Sequence, residues 1–206
     1  PSVLSESKHA LRYLSSPELY NSPVRPPAHR PISKVTRDDV EQLLRLKLCE
    51  EGQPTNDFGY LFTVPEPRKN RRRLVHDTLS TNFSTRRPPN PRFTPLQQLP
   101  HILDKGSFAA TFDLKAMYYQ IPLHPAVRKF FPFDFGGKTF NFCRLPMGFT
   151  WAVVIAQTIT NYLCSFLRNV HIEVYIDNVL IVGGFESVNK ACQRFREVCN
   201  TYNVTL

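Results

Sequence analysis

The chain has 206 residues, with 26 Lys and Arg against 17 Asp and Glu, a net charge of +9 and a pI near 9.5. That length suits one domain or two small subdomains sharing a core, and 42% hydrophobic residues excludes disorder along the whole chain. The 12% aromatic content and 8 Gly exclude collagen-like and low-complexity classes. Five Cys, an odd number with no C-x-x-C pair, argue against a disulfide framework or a zinc knuckle and for a reducing compartment. The sequence opens on Pro1 without a signal peptide, so a fragment or a processed chain is expected.

In chain order, residues 1–34 read as an extended Pro/Ser-rich arm. A helix starts at Thr36, whose hydroxyl can cap the first turn, with Asp38 and Asp39 at the positive end of its dipole. Val40, Leu43, Leu44 and Leu48 form its apolar face, and Gly52 ends it. A hairpin follows: residues 60–64 and 72–76 are strand-like around a basic turn at 65–70. Four prolines between 88 and 95 mark an irregular crossing, then a short helix is predicted near 96–104 and a strand at 110–114. Residues 130–135 and 139–143 pair across Gly136-Gly137, and 150–167 form a long buried helix. A further hairpin, 172–175 with 179–182, turns at Ile176-Asp177-Asn178, and 187–202 is the last helix. This order predicts an α+β fold with a mostly antiparallel sheet.

Two features concern partners. From Arg68 to Arg92 there are eight basic residues and one acid, Asp77. A solvated face normally mixes its signs, so this single-sign stripe points to a polyanion such as nucleic acid. Between Arg144 and Arg168 lie 23 uncharged residues, long enough to span a bilayer. Six polar side chains, from Thr150 to Ser165, make a buried helix the better reading, and no membrane partner is expected.

Two aspartates stand among apolar strand residues: Asp113 at a strand end and Asp177 at a hairpin tip. A lone Asp at a hairpin is ordinarily a turn-former. Two on adjacent central strands would converge, and their repulsion calls for a divalent cation. A pair of metals on shared carboxylates is the machinery of in-line phosphoryl transfer.

At these residues the sequence resembles a known family. Phe112-Asp113-Leu114-Lys115-Ala116-Met117-Tyr118-Tyr119-Gln120-Ile121-Pro122-Leu123 resembles the first palm motif of retroelement reverse transcriptases. Leu145-Pro146-Met147-Gly148-Phe149 with Gln157 resembles the second, and Val174-Tyr175-Ile176-Asp177-Asn178-Val179-Leu180-Ile181 the Tyr-X-Asp-Asp motif. Phe62-Thr63-Val64-Pro65 with Arg73-Leu74-Val75-His76-Asp77 is similar to the fingers hairpin. The resemblance covers roughly residues 36–206 and is closest to retroviral, gypsy-like and tyrosine-recombinase (DIRS-like) elements.

The resemblance implies a right-hand polymerase fold with fingers and palm and without a thumb: residues 35–105 fingers-like, 106–206 palm-like, the two interleaved. It implies an RNA-directed DNA polymerase that takes dNTPs, an RNA or DNA template and a primer, and that works beside a thumb and a ribonuclease H or recombinase of the same polyprotein. The expected location is intracellular, cytoplasmic or nuclear. Asp113 and Asp177 would hold two Mg²⁺, replaceable by Mn²⁺, with the Leu114 carbonyl as a further ligand and Asn178 in the catalytic group. Tyr118 matches the steric gate against a 2′-hydroxyl. Arg73, Arg72 and Lys69 would grip the triphosphate, and Met147 and Gly148 would lie near the nucleotide. Arg71, Arg86, Arg87, Gln157 and Tyr175 would contact nucleic acid.

Three departures from the family pattern stand out: Asn178 replaces the second Asp of the Tyr-X-Asp-Asp motif, Val153 stands where Pro is usual, and Trp151 is bulky for its neighbourhood. They keep open a decayed or repurposed palm that binds nucleic acid or serves as a scaffold. Tyr118 disfavours an RNA-templated RNA polymerase.

Overall fold

The computed structural model describes residues 3–21, 33–55, 59–91 and 93–206, so Arg92 and most of the second half of the expected arm lie outside the described residues. The chain divides into two compact units that alternate in sequence: residues 1–88 with 121–152, and residues 89–120 with 153–206.

The first unit begins with a helix, α1 (Val3–Arg12), where an extended arm is expected. Ten residues make a marginal helix in water. Packing supplies the difference: Ala10 and Tyr13 are buried, and Tyr13 stacks on Trp151 at 4.7 Å with His9 edge-on to the same ring. The bulk of Trp151 is thus accommodated in the core, where its indole N–H donates to the Arg86 carbonyl at 2.7 Å.

Helix α2 (Arg37–Arg45) is capped at Thr36 as expected, through a reciprocal bond with Asp39. It stops short of Gly52, because Cys49–Glu51 leaves the helix to form β1. Leu48 therefore sits in the connection instead of on the helix face. The hairpin β2 (Tyr60–Glu66) and β3 (Arg71–Asp77) is longer than predicted, with Glu66 opposite Arg71 and Val64 opposite Arg73. The predicted turn shrinks to Pro67–Lys69 with Asn70 left-handed.

Short helices escape the sequence pattern, among them α3 (Leu79–Phe83) and, after the excursion into the second unit, α6 (Pro125–Arg128). Between the latter and the second unit's long helix, β5 (Pro132–Phe135) pairs with β6 (Lys138–Phe142) across the two glycines, and β1 adds to the other edge of β6. Phe131, Phe133, Phe142 and Leu145 are fully buried in this unit.

In the second unit, a short turn at Leu96–Gln98 runs into α4 (Leu99–Leu103), and β4 (Phe108–Asp113) leads to α5 (Met117–Gln120). Helix α7 (Ala152–Cys164) precedes β7 (His171–Tyr175), β8 (Asn178–Gly183) and α8 (Phe185–Thr201). The sheet order is β4-β8-β7, antiparallel throughout. Val188, Ala191, Phe195, Val198 and Cys199 bury the inner face of α8, whereas Cys192 and Tyr202, expected on the same face, are half-buried and 47% exposed respectively. Helix α7 is shorter than expected and buries one side: Ile155, Ala156, Thr160 and Leu163 are inside, whereas Tyr162 is 51% exposed. Among the described residues no helix is long and apolar enough to cross a membrane.

One core group of the first unit titrates. The buried His76 ring lies against Phe142, and its Nε2 donates to the Pro132 carbonyl at 2.9 Å, while Nδ1 has no partner among the described residues. Burial pulls its pKa from 6.5 down to about 4. Because the folded value lies below the unfolded one, the unfolded chain binds the proton more readily, so stability is complete above about pH 6.5 and declines as pH falls toward 4. Denaturant midpoints measured across this window should drop by an equivalent of about 3 kcal/mol in the wild type, and the pH dependence should flatten in His76→Gln.

Candidate functional site

In the second unit, the site begins with register. Asp113, the last residue of β4, lies opposite Asn178, the first of β8. The ladder continues one step further, where the Leu114 N–H donates to the Asp177 carbonyl at 2.8 Å. The spacing read from sequence therefore holds: the two aspartates come from adjacent strand ends. The Asp113 carboxylate is exposed, and that of Asp177 accepts from the Asn178 amide at 3.0 Å. Leu114, directly after Asp113, is buried in the core at 1% exposure.

After Leu114 the chain turns through Ala116, a non-glycine residue at φ 45, and enters α5. Met117 is buried, and Tyr118 and Tyr119 are both half-buried. The Tyr118 hydroxyl has its pKa raised by burial first, then by the charge of Asp177 and by Tyr175, which sets this ring beside the aspartate turn. Gln120 anchors the same segment, its amide pairing with both the N–H (2.7 Å) and the carbonyl (2.9 Å) of Thr205. Tyr175 is 56% exposed and packs on Phe93 at 4.5 Å.

The hairpin between β7 and β8 closes with only Ile176 and Asp177, and Ile176 sits at φ 57. Left-handed backbone in a β-branched residue costs about 1–2 kcal/mol and marks a genuine outlier. Gln157 is half-buried and turns its amide to the backbone of the hairpin. Its Oε1 accepts the Ile176 N–H at 2.6 Å and its Nε2 donates to the Val174 carbonyl at 3.0 Å. Thr160, which belongs to none of the sequence motifs, donates its hydroxyl to the Ile176 carbonyl at 2.6 Å. The available signal was its spacing: three residues beyond Gln157, it shares that residue's helix face.

The first unit holds the basic and nucleotide-motif residues. Strand alternation sends Arg71 and Arg73 to one side of the hairpin and Arg72 to the other. Arg72 forms a two-pronged pair with Asp39 at 2.8 Å and donates to the Lys34 carbonyl at 2.5 Å. Arg71 and Arg73 both engage Glu66, whose pKa is lowered chiefly by its bond to Arg71. Arg73 also reaches the Met147 sulfur at 3.7 Å, so these two are brought together. Gly148 occupies φ 104, where a side chain would be strained. Its carbonyl accepts from Asn82, which also takes the Thr150 N–H at 2.7 Å. Asn82 had no sequence signal, because its role exists only through residues more than sixty positions away.

The stripe of single-sign charge is thus partly neutralised by acids outside its window, Glu66 and Asp39. Lys69 and Arg87 are exposed, and Arg86 is exposed with its guanidinium 6.0 Å from the Trp151 ring. All five cysteines are free. Among the described residues no three His, Cys, Asp or Glu side chains gather as a metal cluster.

Helices packed with antiparallel sheets in this order make the fingers-and-palm fold of right-hand polymerases. The structure superposes on a foamy viral protease-reverse transcriptase solved with double-stranded DNA with a TM-score of 0.74, at 19% identity over 89% of this chain and 32% of that one. A native prototype foamy virus protease-reverse transcriptase gives 0.68, at 20% identity over 88% and 24%. The family model for reverse transcriptase (RNA-dependent DNA polymerase) matches residues 68–206, and the chain belongs to that family. It is 34% identical over 166 residues to a retrovirus-related Pol polyprotein from the transposon gypsy of Drosophila melanogaster. That match covers 76% of this chain and 15% of the polyprotein, so the chain spans a small part of its relative. The expected gypsy-like retroelement kinship is borne out.

The two arginine environments separate experimentally. Arg72→Ala should lower stability by about 0.2–1 kcal/mol, the range for partly exposed ion pairs, and leave the salt dependence of template–primer binding unchanged. Replacing Arg68 and Lys69, exposed at the hairpin tip, should reduce the slope of log K against log[salt] by roughly 0.9 for each duplex DNA phosphate that these side chains neutralise.

Proposed function

We propose that this chain is the fingers and palm of a retroelement reverse transcriptase, an RNA-directed DNA polymerase that adds dNTPs to a primer 3′-OH on an RNA or DNA template. The first unit is the fingers, extended by residues 121–152, and the second is the palm. The observation that carries the reading is the β4–β8 register, which brings Asp113 and the Asp177 turn to one end of one sheet with Tyr118 beside them.

The donors there are hard oxygens, which suits a hard divalent cation. Asp113, Asp177 and the Leu114 carbonyl would hold two Mg²⁺, with Mn²⁺ able to replace them. When bound, such ions activate the attacking oxygen and offset charge on the departing pyrophosphate. Tyr118 fills the space that a ribonucleotide 2′-hydroxyl needs. Arg73, preset by Glu66 and Met147, receives phosphate charge together with Lys69, while Arg72 secures the hairpin to α2. Gly148 lets backbone approach the template–primer, and Arg71, Arg86, Arg87 and Tyr175 contact it. The small share of the gypsy polyprotein matched supports a longer protein with a thumb and further enzymatic regions acting alongside. Free cysteines fit a reducing, intracellular setting.

One observation favours a second reading, a palm that binds nucleic acid without synthesis. Asn178 supplies an amide where the motif has a carboxylate, and it donates to Asp177. The catalytic reading expects a larger stimulation by Mn²⁺ than by Mg²⁺, and a lower Mg²⁺ requirement in Asn178→Asp. No primer extension in either metal, by folded protein that still binds template–primer, would leave only the second reading.

Two substitutions test the assignments. Asp113→Asn should abolish primer extension while preserving duplex binding, and equal activity would sink the catalytic role. Tyr118→Ala or Val should raise ribonucleotide incorporation relative to dNTPs, chiefly through a gain for the ribonucleotide.

A further inference from the structure

Two-residue hairpin turns favour Gly, Asn or Asp where φ is positive. Ile176 is none of these, so its conformation has to be imposed from outside the turn. The imposing groups are Gln157 and Thr160, neighbours on one face of α7. Together they take the N–H of Ile176, its carbonyl, and the carbonyl of Val174, at 2.6, 2.6 and 3.0 Å. Thr160 is fully buried. Asp177 follows Ile176 directly, so the backbone direction at Ile176 sets where its carboxylate points.

We propose that Gln157 and Thr160 are positioning residues: they hold Ile176 left-handed and thereby aim Asp177 at the Asp113 side of the sheet. This rests on the functional reading above and adds to it a second layer of residues that touch neither nucleotide nor nucleic acid. Gln157 acts on the backbone, which reassigns it from the nucleic-acid contacts implied by resemblance. A polar cleft of about 370 Å³ lies beside it, bordered by Asn161, Ser165, Glu173 and Thr94. Water entering from this cleft can satisfy the Ile176 N–H when the glutamine is truncated. Loss of the side chain then removes aim more than it removes stability.

The test uses Gln157→Ala, Thr160→Val, Thr160→Ser and the double variant Gln157→Ala/Ile176→Gly. Three readouts apply: amide exchange at Ile176 by NMR, Mn²⁺ affinity by EPR titration, and primer-extension kcat with template–primer Kd. In Gln157→Ala, the Ile176 amide should lose protection, Mn²⁺ affinity and kcat should fall by about 10–100-fold, the range for outer-layer partners of metal ligands, and template–primer Kd should not change. Thr160→Val should reproduce the losses in affinity and kcat, and Thr160→Ser should restore them. Glycine at 176 reaches positive φ unaided, so the double variant should recover part of the kcat lost in Gln157→Ala. Weakened template–primer binding with Mn²⁺ affinity and kcat intact would overturn the proposal and return Gln157 to the nucleic-acid contacts. An equal loss in the double variant would also overturn it. A wild-type protein that binds no Mn²⁺ and extends no primer, yet protects the Ile176 amide, would instead sink the functional reading.

Discussion

The alignment of β4 against β8 is the constraint from which the second unit's surface chemistry follows. Side chains alternate along a strand, so a shift of one residue would exchange every inward and outward position. Val179, Ile181 and Val182 of β8 are buried at 1% or less, and Phe112 of β4 packs against Phe195 of α8 at 5.0 Å. Each such side chain contributes about 1.5–3 kcal/mol on burial, so together they outweigh any preference of the polar residues at the strand ends. Apolar packing, well away from the aspartates, therefore decides that Asp113 meets Asn178. The carboxylates inherit a position that other residues set.

The same division of labour recurs at finer scale. The half-buried Asp177 sits on a two-residue turn, which offers little packing of its own to fix the direction of the carboxylate. The turn is tied down by three hydrogen bonds from α7, a helix without a single charge. That helix is uncharged for two reasons: one side packs into the core, and part of the other must present neutral polar groups to buried backbone. A charged side chain at Thr160 would have to be desolvated without a counter-ion, at a cost of several kcal/mol.

In the first unit, electrostatics takes the place of packing. Three consecutive arginines repel one another, and alternation along β3 relieves this by dividing them between two faces. Each face supplies a carboxylate, Asp39 on α2 and Glu66 at the start of the hairpin turn. Asp39 also closes the capping box of α2, so a single side chain joins helix start and hairpin. Shared in this way, Glu66 holds Arg71 and Arg73 in fixed directions.

Sequence alone determined every strand but β1, the three hairpins, the last helix and the candidate aspartates, because these depend on periodicity and on residues close in the chain. It also located Thr36 as a cap, a contact spanning three residues. It misread residues 3–12 as an arm: their Ser content masked the Ala10–Tyr13 spacing, and the helix owes its stability to Trp151, far along the chain. It grouped Arg72 with Arg73, since adjacency in sequence does not disclose opposite faces of a strand. It overlooked Thr160, Asn82 and Glu66, and the bonds of Gln157 to the backbone of Val174 and Ile176. Only the tertiary structure decided these, and for one physical reason. Where a polar side chain points depends on which backbone or counter-charge lies within about 3 Å, and in this chain that partner is often supplied by a segment tens of residues away.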